Sequence, residues 1–222
     1  MSGRRIADLR NKIEKDKYTL RDAVSLLKEC AVAKFVESVD IDLRFDMSST
    51  KSKVGLSGTV DLPHGNGKSA KIMVFAQGEY AQKARDADYI GSEDWILKIK
   101  EGYKVDFDWC IATPDMMSKV GKLGKFLRKL MPNPKMGTVT FDVASKIAEI
   151  REGSIAVHMD KNGLVHSRVG SVEFSDDKLS ENVSSFVESM LRMTDHQLVS
   201  SYISSTMGPS IPFDHRSVSE GR

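Results

Sequence analysis

The sequence predicts a mixed α+β and α/β protein of two domains, a split α+β domain made from both chain ends with an α/β domain inserted between them. Three observations predict it. Segments near both ends alternate apolar and polar residues, the mark of strands with one wet face. The middle of the chain instead carries short, continuous apolar runs separated by helical patterns, as in a small parallel sheet covered on both sides. The 222 residues, 40% hydrophobic and 29% charged, suffice to bury two modest cores.

The N-terminal third reads helix, helix, strand. Thr19 is an N-cap with Asp22 in capping-box position. Ala23, Val24, Leu26, Leu27 and Ala31 form the stripe of an amphipathic helix. From Ser38 to Asp46, Val39, Ile41, Leu43 and Phe45 face one way while Ser38, Asp40, Asp42, Arg44 and Asp46 face the other. After Gly58 the pattern changes, and Pro63-His64-Gly65-Asn66-Gly67 is a turn cluster. Ile72 to Ala76 and Phe107 to Ala112 are buried strands, with a helix around Glu79 to Ala87, a short apolar piece at Tyr89-Ile90, and a helix between Ser92 and Gly102. That strand-helix-strand-helix-strand order is Rossmann-like. Asp142 caps a further helix that Gly153 ends.

The last third returns to alternation. Ile155 to Met159 and Leu164 to Val169 flank Asn162-Gly163, a strong hairpin signal. Ser175 caps a helix whose apolar face is Leu179, Val183, Phe186, Val187 and Met190. A final strand runs from about Leu198 to Ser205, and the tail from Ser217 is expected to fray. Neither end holds enough strands for a stable sheet by itself, so the two ends are expected to pair. The expected domains are 1–59 with 150–222, and 60–149. Two chain crossings between them would permit a hinge.

Composition narrows the function. The net charge is +2 and the sequence pI about 8.4, so polyanion binding requires a local patch rather than a large total. From Met116 to Phe141 the basic residues Lys119, Lys122, Lys125, Arg128, Lys129 and Lys135 occur with no acid among them. Two readings stand side by side: lysines solvating a helix whose other face is Val120, Leu123, Leu127 and Leu130, or a phosphate-contacting ridge. Cys30 and Cys110 are far apart, which argues against a disulfide framework or a zinc site and suits a reducing cytoplasm. No signal peptide or membrane-length apolar run is visible.

No segment carries a recognisable catalytic or cofactor motif. Gly67-Lys68-Ser69 resembles the end of a phosphate loop, but the first glycine of that motif falls on Leu62 and the segment leads into a strand. The histidines show no metal spacing; His158 and His166 are expected to face each other loosely across the hairpin, and surface histidines that touch RNA or nothing are favoured over a metal pair. Ser204-Ser205-Thr206-Met207-Gly208-Pro209-Ser210 offers hydroxyls, a flexible glycine and a rigid proline without charge. It reads either as a plain loop or as a surface that bonds ribose 2′-hydroxyls.

Leu62 to Lys68, Ala112-Thr113-Pro114-Asp115 and Met131-Pro132-Asn133-Pro134-Lys135-Met136-Gly137-Thr138-Val139-Thr140 closely resemble the family of bacterial large-subunit ribosomal protein one, the protein of the mobile side stalk. Ala33 to Glu37 and Thr206 to Ser210 match it as well, and the motifs follow the family's order over nearly the whole chain. The resemblance implies a non-enzymatic, two-domain ribosomal protein, monomeric when free, without cofactor or metal. Its implied partners are a stalk helix of large-subunit ribosomal RNA, exit-site tRNA whose release it assists, and the messenger RNA of its own operon, which it represses. The RNA surface so implied comprises Lys34, Phe35, Glu37, Ser38, Asp160, Lys161, His166, Ser201, Thr206, Met207 and Gly208. The chain departs from the family pattern over Met47 to Ser57, at Arg128-Lys129 and at Ser171. The competing reading is a nucleotide-dependent enzyme built on the central α/β domain.

Overall fold

The computed structural model describes residues 2–13, 15–47, 56–103, 106–194 and 196–218. Most of the divergent Met47 to Ser57 segment, and the chain beyond 218, lie outside the described residues. In chain order the elements are α1 (Ser2–Arg10), α2 (Leu20–Cys30), β1 (Ser38–Phe45), β2 (Ser57–Asp61), β3 (Ile72–Phe75), α3 (Glu79–Lys83), β4 (Tyr89–Gly91), α4 (Glu93–Lys100), β5 (Trp109–Ala112), α5 (Pro114–Val120), α6 (Gly124–Leu127), α7 (Val143–Glu152), β6 (Ser154–His158), β7 (Leu164–Ser171), α8 (Asp176–Met193), β8 (Leu198–Ser205) and β9 (Ile211–Pro212). The contacts divide the chain into two compact units, 1–67 with 153–222, and 68–152. Helices and strands are mixed in both, as the α+β and α/β class requires.

In the first unit β1 lies between two strands from the other end of the chain, in the order β7-β1-β8-β9, all antiparallel. Val39, Ile41, Leu43 and Phe45 point inward and are buried, so the strict alternation places a single apolar face on the core. Helices α2 and α8 cover that face with Ala23, Val24, Leu27, Leu179, Val183, Phe186 and Val187. Each such large apolar side chain contributes about 1.5–3 kcal/mol on burial. Both helices begin at caps: Thr19 Oγ1 accepts the Asp22 N–H at 3.3 Å, and Ser175 Oγ accepts that of Lys178 at 3.4 Å.

The hairpin expectation holds only at its tip. A single bridge joins Met159 to Val165. Beyond it the strands separate, because β6 pairs with β2 in a two-stranded sheet while β7 pairs with β1. Strand β2, unmarked in the sequence by any long alternation, takes the place that β7 was expected to fill. Val60 and Leu62 thereby join the core of the first unit. The turn cluster after Leu62 is tied down by Asn182, fully buried in α8: its Oδ1 accepts the His64 N–H at 3.0 Å, and its amide donates to the Gly65 and Val169 carbonyls at 2.8 Å each. Gly153 is required opposite this turn, since a Cβ there would lie 2.7 Å from the Leu62 carbonyl oxygen.

The second unit holds the expected parallel sheet in the order β4-β3-β5. All four residues of β3 are buried, with apolar clusters on both faces. Helix α3 ends at Lys83, short of the expected Ala87. Asp142 Oδ1 accepts the Ser145 N–H at 3.3 Å and so caps α7. The Met-Pro-Asn-Pro run folds on itself: Thr138 Oγ1 accepts the Asn133 N–H at 2.8 Å, and Asn133 Oδ1 accepts that of Lys135 at 2.9 Å. Val139 then bridges to β5 at Ala112.

Candidate nucleic-acid interface

Strands β1 and β8 run antiparallel, so the loop entering β1 and the loop leaving β8 sit at the same end of the sheet. The structure brings the Phe35 and Met207 segments together there. The Ser38 N–H donates to Thr206 Oγ1 at 3.0 Å, the two hydroxyls share a hydrogen bond at 2.8 Å, and the Thr206 N–H donates to the Ser38 carbonyl at 3.1 Å. Phe35 is 55% exposed and Met207 43%, with Val32 and Val36 also exposed beside Phe35. Lys34 is exposed in the same loop. Gly208 closes the turn by donating its N–H to the Ser205 carbonyl at 3.1 Å. This end of the first unit therefore presents apolar side chains, a cation and a hydroxyl clasp.

Two predicted residues lie inside rather than outside. Glu37 is only 3% exposed, and its carboxylate accepts the Ala33 N–H at 3.2 Å and the Met207 N–H at 2.8 Å. Ser201 is buried on the inner face of β8, its hydroxyl donating to the Phe213 carbonyl at 2.7 Å.

Asp160 and Lys161 lie at the opposite end of the sheet, where the Phe45 N–H donates to the Gly163 carbonyl at 2.8 Å. Seven residue steps along β1 separate the two ends by roughly 23 Å. The Asp160 carboxylate organises its own turn: Oδ1 accepts the N–H groups of Leu164 and Asn162, each at 2.8 Å. The Leu164 N–H above all, and then that of Asn162, hold this carboxyl below its ordinary value. Gly163 must adopt φ +78°, and a Cβ there would lie 2.5 Å from the Phe45 carbonyl oxygen. The turn leaves Lys161 exposed at its tip.

His166 lies mid-sheet on the wet face, opposite Asp42 in register, with Nδ1 2.6 Å from Asp42 Oδ1. His158 does not face it: its Nδ1 is bonded to Ser57 Oγ at 2.8 Å in the other sheet. No cluster of side chains suited to a metal ion occurs among the described residues. The registers also place Arg168 and Tyr202 on the wet face, next to Asp40 and Asp42 respectively. Neither was singled out by the sequence reading, although counting by twos from His166 and from Ser204 reaches both. Partial burial, opposed by the charge of Arg168 and reinforced by that of Asp42, raises the Asp40 carboxyl above its ordinary value.

Gly67-Lys68-Ser69, where the chain passes from the first unit into the second, leads into β3, so no helix N-terminus follows it, and Lys68 Nζ is bonded to Asp108 at 2.6 Å. On the basic stretch Val120, Leu123 and Leu127 are buried as expected, with Lys122, Lys125 and Phe126 exposed. Leu130 departs from that face and is exposed: Arg128 takes φ +46° and ends α6, and Leu130 closes the 3-10 turn that follows. No described helix is long and apolar enough to cross a membrane.

The profile of the Ribosomal protein L1p/L10e family matches residues 27–209. Among similar proteins, the large ribosomal subunit protein uL1 of Fervidobacterium nodosum is 43% identical over 99% of this chain and 97% of its own length. That of Thermobifida fusca is 43% identical over 91% and 90%, and that of Chlamydia caviae 44% identical over 90% and 89%. The matched region spans β1, both faces of the inserted sheet and the Met207 loop, and on that breadth of agreement the chain belongs to the Ribosomal protein L1p/L10e family.

Proposed function

We propose that this chain is a structural protein of the large ribosomal subunit that binds a shaped element of large-subunit ribosomal RNA, the stalk helix, through the Phe35–Met207 end of its four-stranded sheet. The observation that carries the reading is the convergence there of two exposed loops from opposite ends of the chain, fastened by the Ser38–Thr206 clasp. Lys34 meets phosphate, Phe35 and Met207 pack on sugar or base, and Ser38, Thr206 and Gly208 present hydroxyl and backbone groups to ribose. Lys161 and His166 extend the footprint along the wet face. Asp160 and Ser201 shape it from behind, one through its turn and the other through its bond to Phe213.

On this reading the split unit 1–67 with 153–222 is the RNA-binding domain and the α/β unit is the arm it carries. The chain works as a monomer when free and on the cytoplasmic ribosome once assembled, with no catalytic role. Held at the stalk, it assists deacylated tRNA in leaving the exit site. An RNA of similar shape in its own messenger competes for the same surface and allows it to repress its own translation.

The test is binding of the full chain to the stalk fragment of large-subunit ribosomal RNA against a scrambled hairpin at several salt concentrations. A preference of about a thousandfold or more, comparable with the low end of specific-site discrimination on DNA, with a shallow salt slope is the expected result. Equal and steeply salt-dependent binding reduces the interaction to phosphate attraction and overturns the reading.

A further inference from the structure

We infer that Glu37 is a positioning residue: a buried carboxylate that couples the Phe35 loop to the Met207 loop and so presets the RNA surface without touching RNA. The inference rests on the RNA-binding reading above. Glu37 is 3% exposed, yet it stands beside two of the most exposed apolar residues of the unit, Phe35 and Val36. Its Oε1 accepts the Ala33 N–H, two residues before Phe35, at 3.2 Å. Its Oε2 accepts the N–H of Met207 itself at 2.8 Å. Its carbonyl accepts the Val172 N–H at 3.1 Å, so the residue is anchored to the end of β7. One side chain thus joins segments 170 residues apart in sequence, and both ends of the carboxylate are used.

The chemistry asks for a carboxylate rather than an amide or a hydroxyl. Two N–H donors converge from opposite sides, and a carboxylate offers an acceptor oxygen to each, whereas glutamine offers one acceptor and one donor. Hydrogen bonds to a charged acceptor are about twice as strong as neutral ones. A loop carrying Met207 at the rim, with a glycine next to it, would otherwise sample many conformations, and ordering it on binding would subtract from affinity. Glu37 supplies that order in the free protein.

The experiment is a double-mutant cycle on the full chain, with Glu37→Gln and Met207→Ala made singly and together, read by affinity for the stalk RNA fragment and by amide hydrogen exchange at residue 207. Glu37→Gln keeps the volume of the side chain, and its stability is followed by thermal melting. A lost hydrogen bond to a charged group corresponds to an affinity loss of about tenfold to a hundredfold. The expected result is such a loss with Glu37→Gln, faster exchange of the residue 207 amide, and a double variant far less impaired than the product of the two single losses. If Glu37→Gln folds and binds as the wild type does, or if the losses multiply while exchange at residue 207 is unchanged, the coupling is refuted. Failure of the wild-type chain to prefer the stalk RNA would instead refute the function on which it rests. Should Glu37→Gln not fold, Glu37→Asp, which keeps the charge and shortens the reach, is read by the same two measurements and the same outcomes.

Discussion

Replacing Thr206 with valine separates hydroxyl recognition from shape, because valine keeps the branched outline and loses only the oxygen. In the free protein that oxygen accepts the Ser38 N–H at 3.0 Å and shares a hydrogen bond with the Ser38 hydroxyl at 2.8 Å. Each such bond contributes about 0.5–1.5 kcal/mol net, and water at this exposed rim replaces part of it, so the variant loses about 1–2 kcal/mol of stability. For a chain of this size that corresponds to a fall in melting temperature of about 3–6 °C. If Thr206 also presents its hydroxyl to a ribose, affinity for the stalk fragment falls by about a further tenfold, the worth of one hydrogen bond of about 1.4 kcal/mol. Filter binding measures the affinity and differential scanning calorimetry the stability, with Thr206→Ser as the control that restores the hydroxyl. Unchanged affinity in Thr206→Val refutes the idea that this hydroxyl is read by RNA. An equal loss in Thr206→Ser refutes it differently, because affinity then follows the packing of the branched side chain rather than the hydroxyl.

Three other perturbations test separate parts of the argument. Phe35→Ala removes a ring that is 55% exposed; stacking on a base is worth about 1–3 kcal/mol, so RNA affinity falls by roughly 5- to 150-fold, and a filter-binding titration that shows no change removes Phe35 from the interface. Gly163→Ala forces a Cβ against the Phe45 carbonyl oxygen at φ +78°, costing about 2 kcal/mol or more for the left-handed conformation and the contact; a melting temperature equal to that of the wild type contradicts the turn geometry. The Asp160 carboxyl is held below its ordinary value of 3.8 by the N–H groups of Leu164 and Asn162. A folded-state pKa below the unfolded value means a contribution to stability that is present above pH 3.8 and is lost as pH falls through the folded-state value. Asp160→Asn is therefore expected to lessen the loss of stability on acidification in that range, and identical acid limbs in the two unfolding curves disprove the link.

Much of the first unit was legible because its elements are long and carry one clear period. The alternation of β1, the three- and four-residue steps of α8 and the Thr19 and Ser175 caps each specify a face as well as an element. Strand β9, with two residues, is too short to show any period, and β2 begins beside a glycine. The separation of β6 from β7 was hidden for a related reason: Asp160 to Gly163 does form a turn, but a turn signal fixes only the residues within it, whereas partner choice depends on β2 and β1, far away in the chain. On the candidate site, exposure of Phe35 and Met207 agreed with their loop setting. The burial of Glu37 was not legible, because an acidic residue in a loop is usually solvated, and only the fold brings the Met207 N–H to it.

The charges on the wet face determine where a phosphate chain runs in the proposed complex. Asp40 and Asp42 occupy its middle, and a phosphate about 5 Å from either one would be repelled by about 3 kcal/mol at an effective dielectric constant near 20. Arg168 beside Asp40 and the exposed Arg44 two residues beyond Asp42 on the same face offset this charge, so the middle carries cations and carboxylates in balance. The exposed lysines Lys34 and Lys161 stand instead at the two ends, roughly 23 Å apart along β1. Phosphates are therefore favoured at the ends and sugars over the middle, where carboxylates accept hydrogen bonds from ribose 2′-hydroxyls and find no such donor in DNA. About two neutralised phosphates correspond to a salt slope near −2, so in the proposed complex a chain with a net charge of only +2 would draw its discrimination from ribose donors that meet acceptors across the sheet, not from the total charge that draws any polyanion.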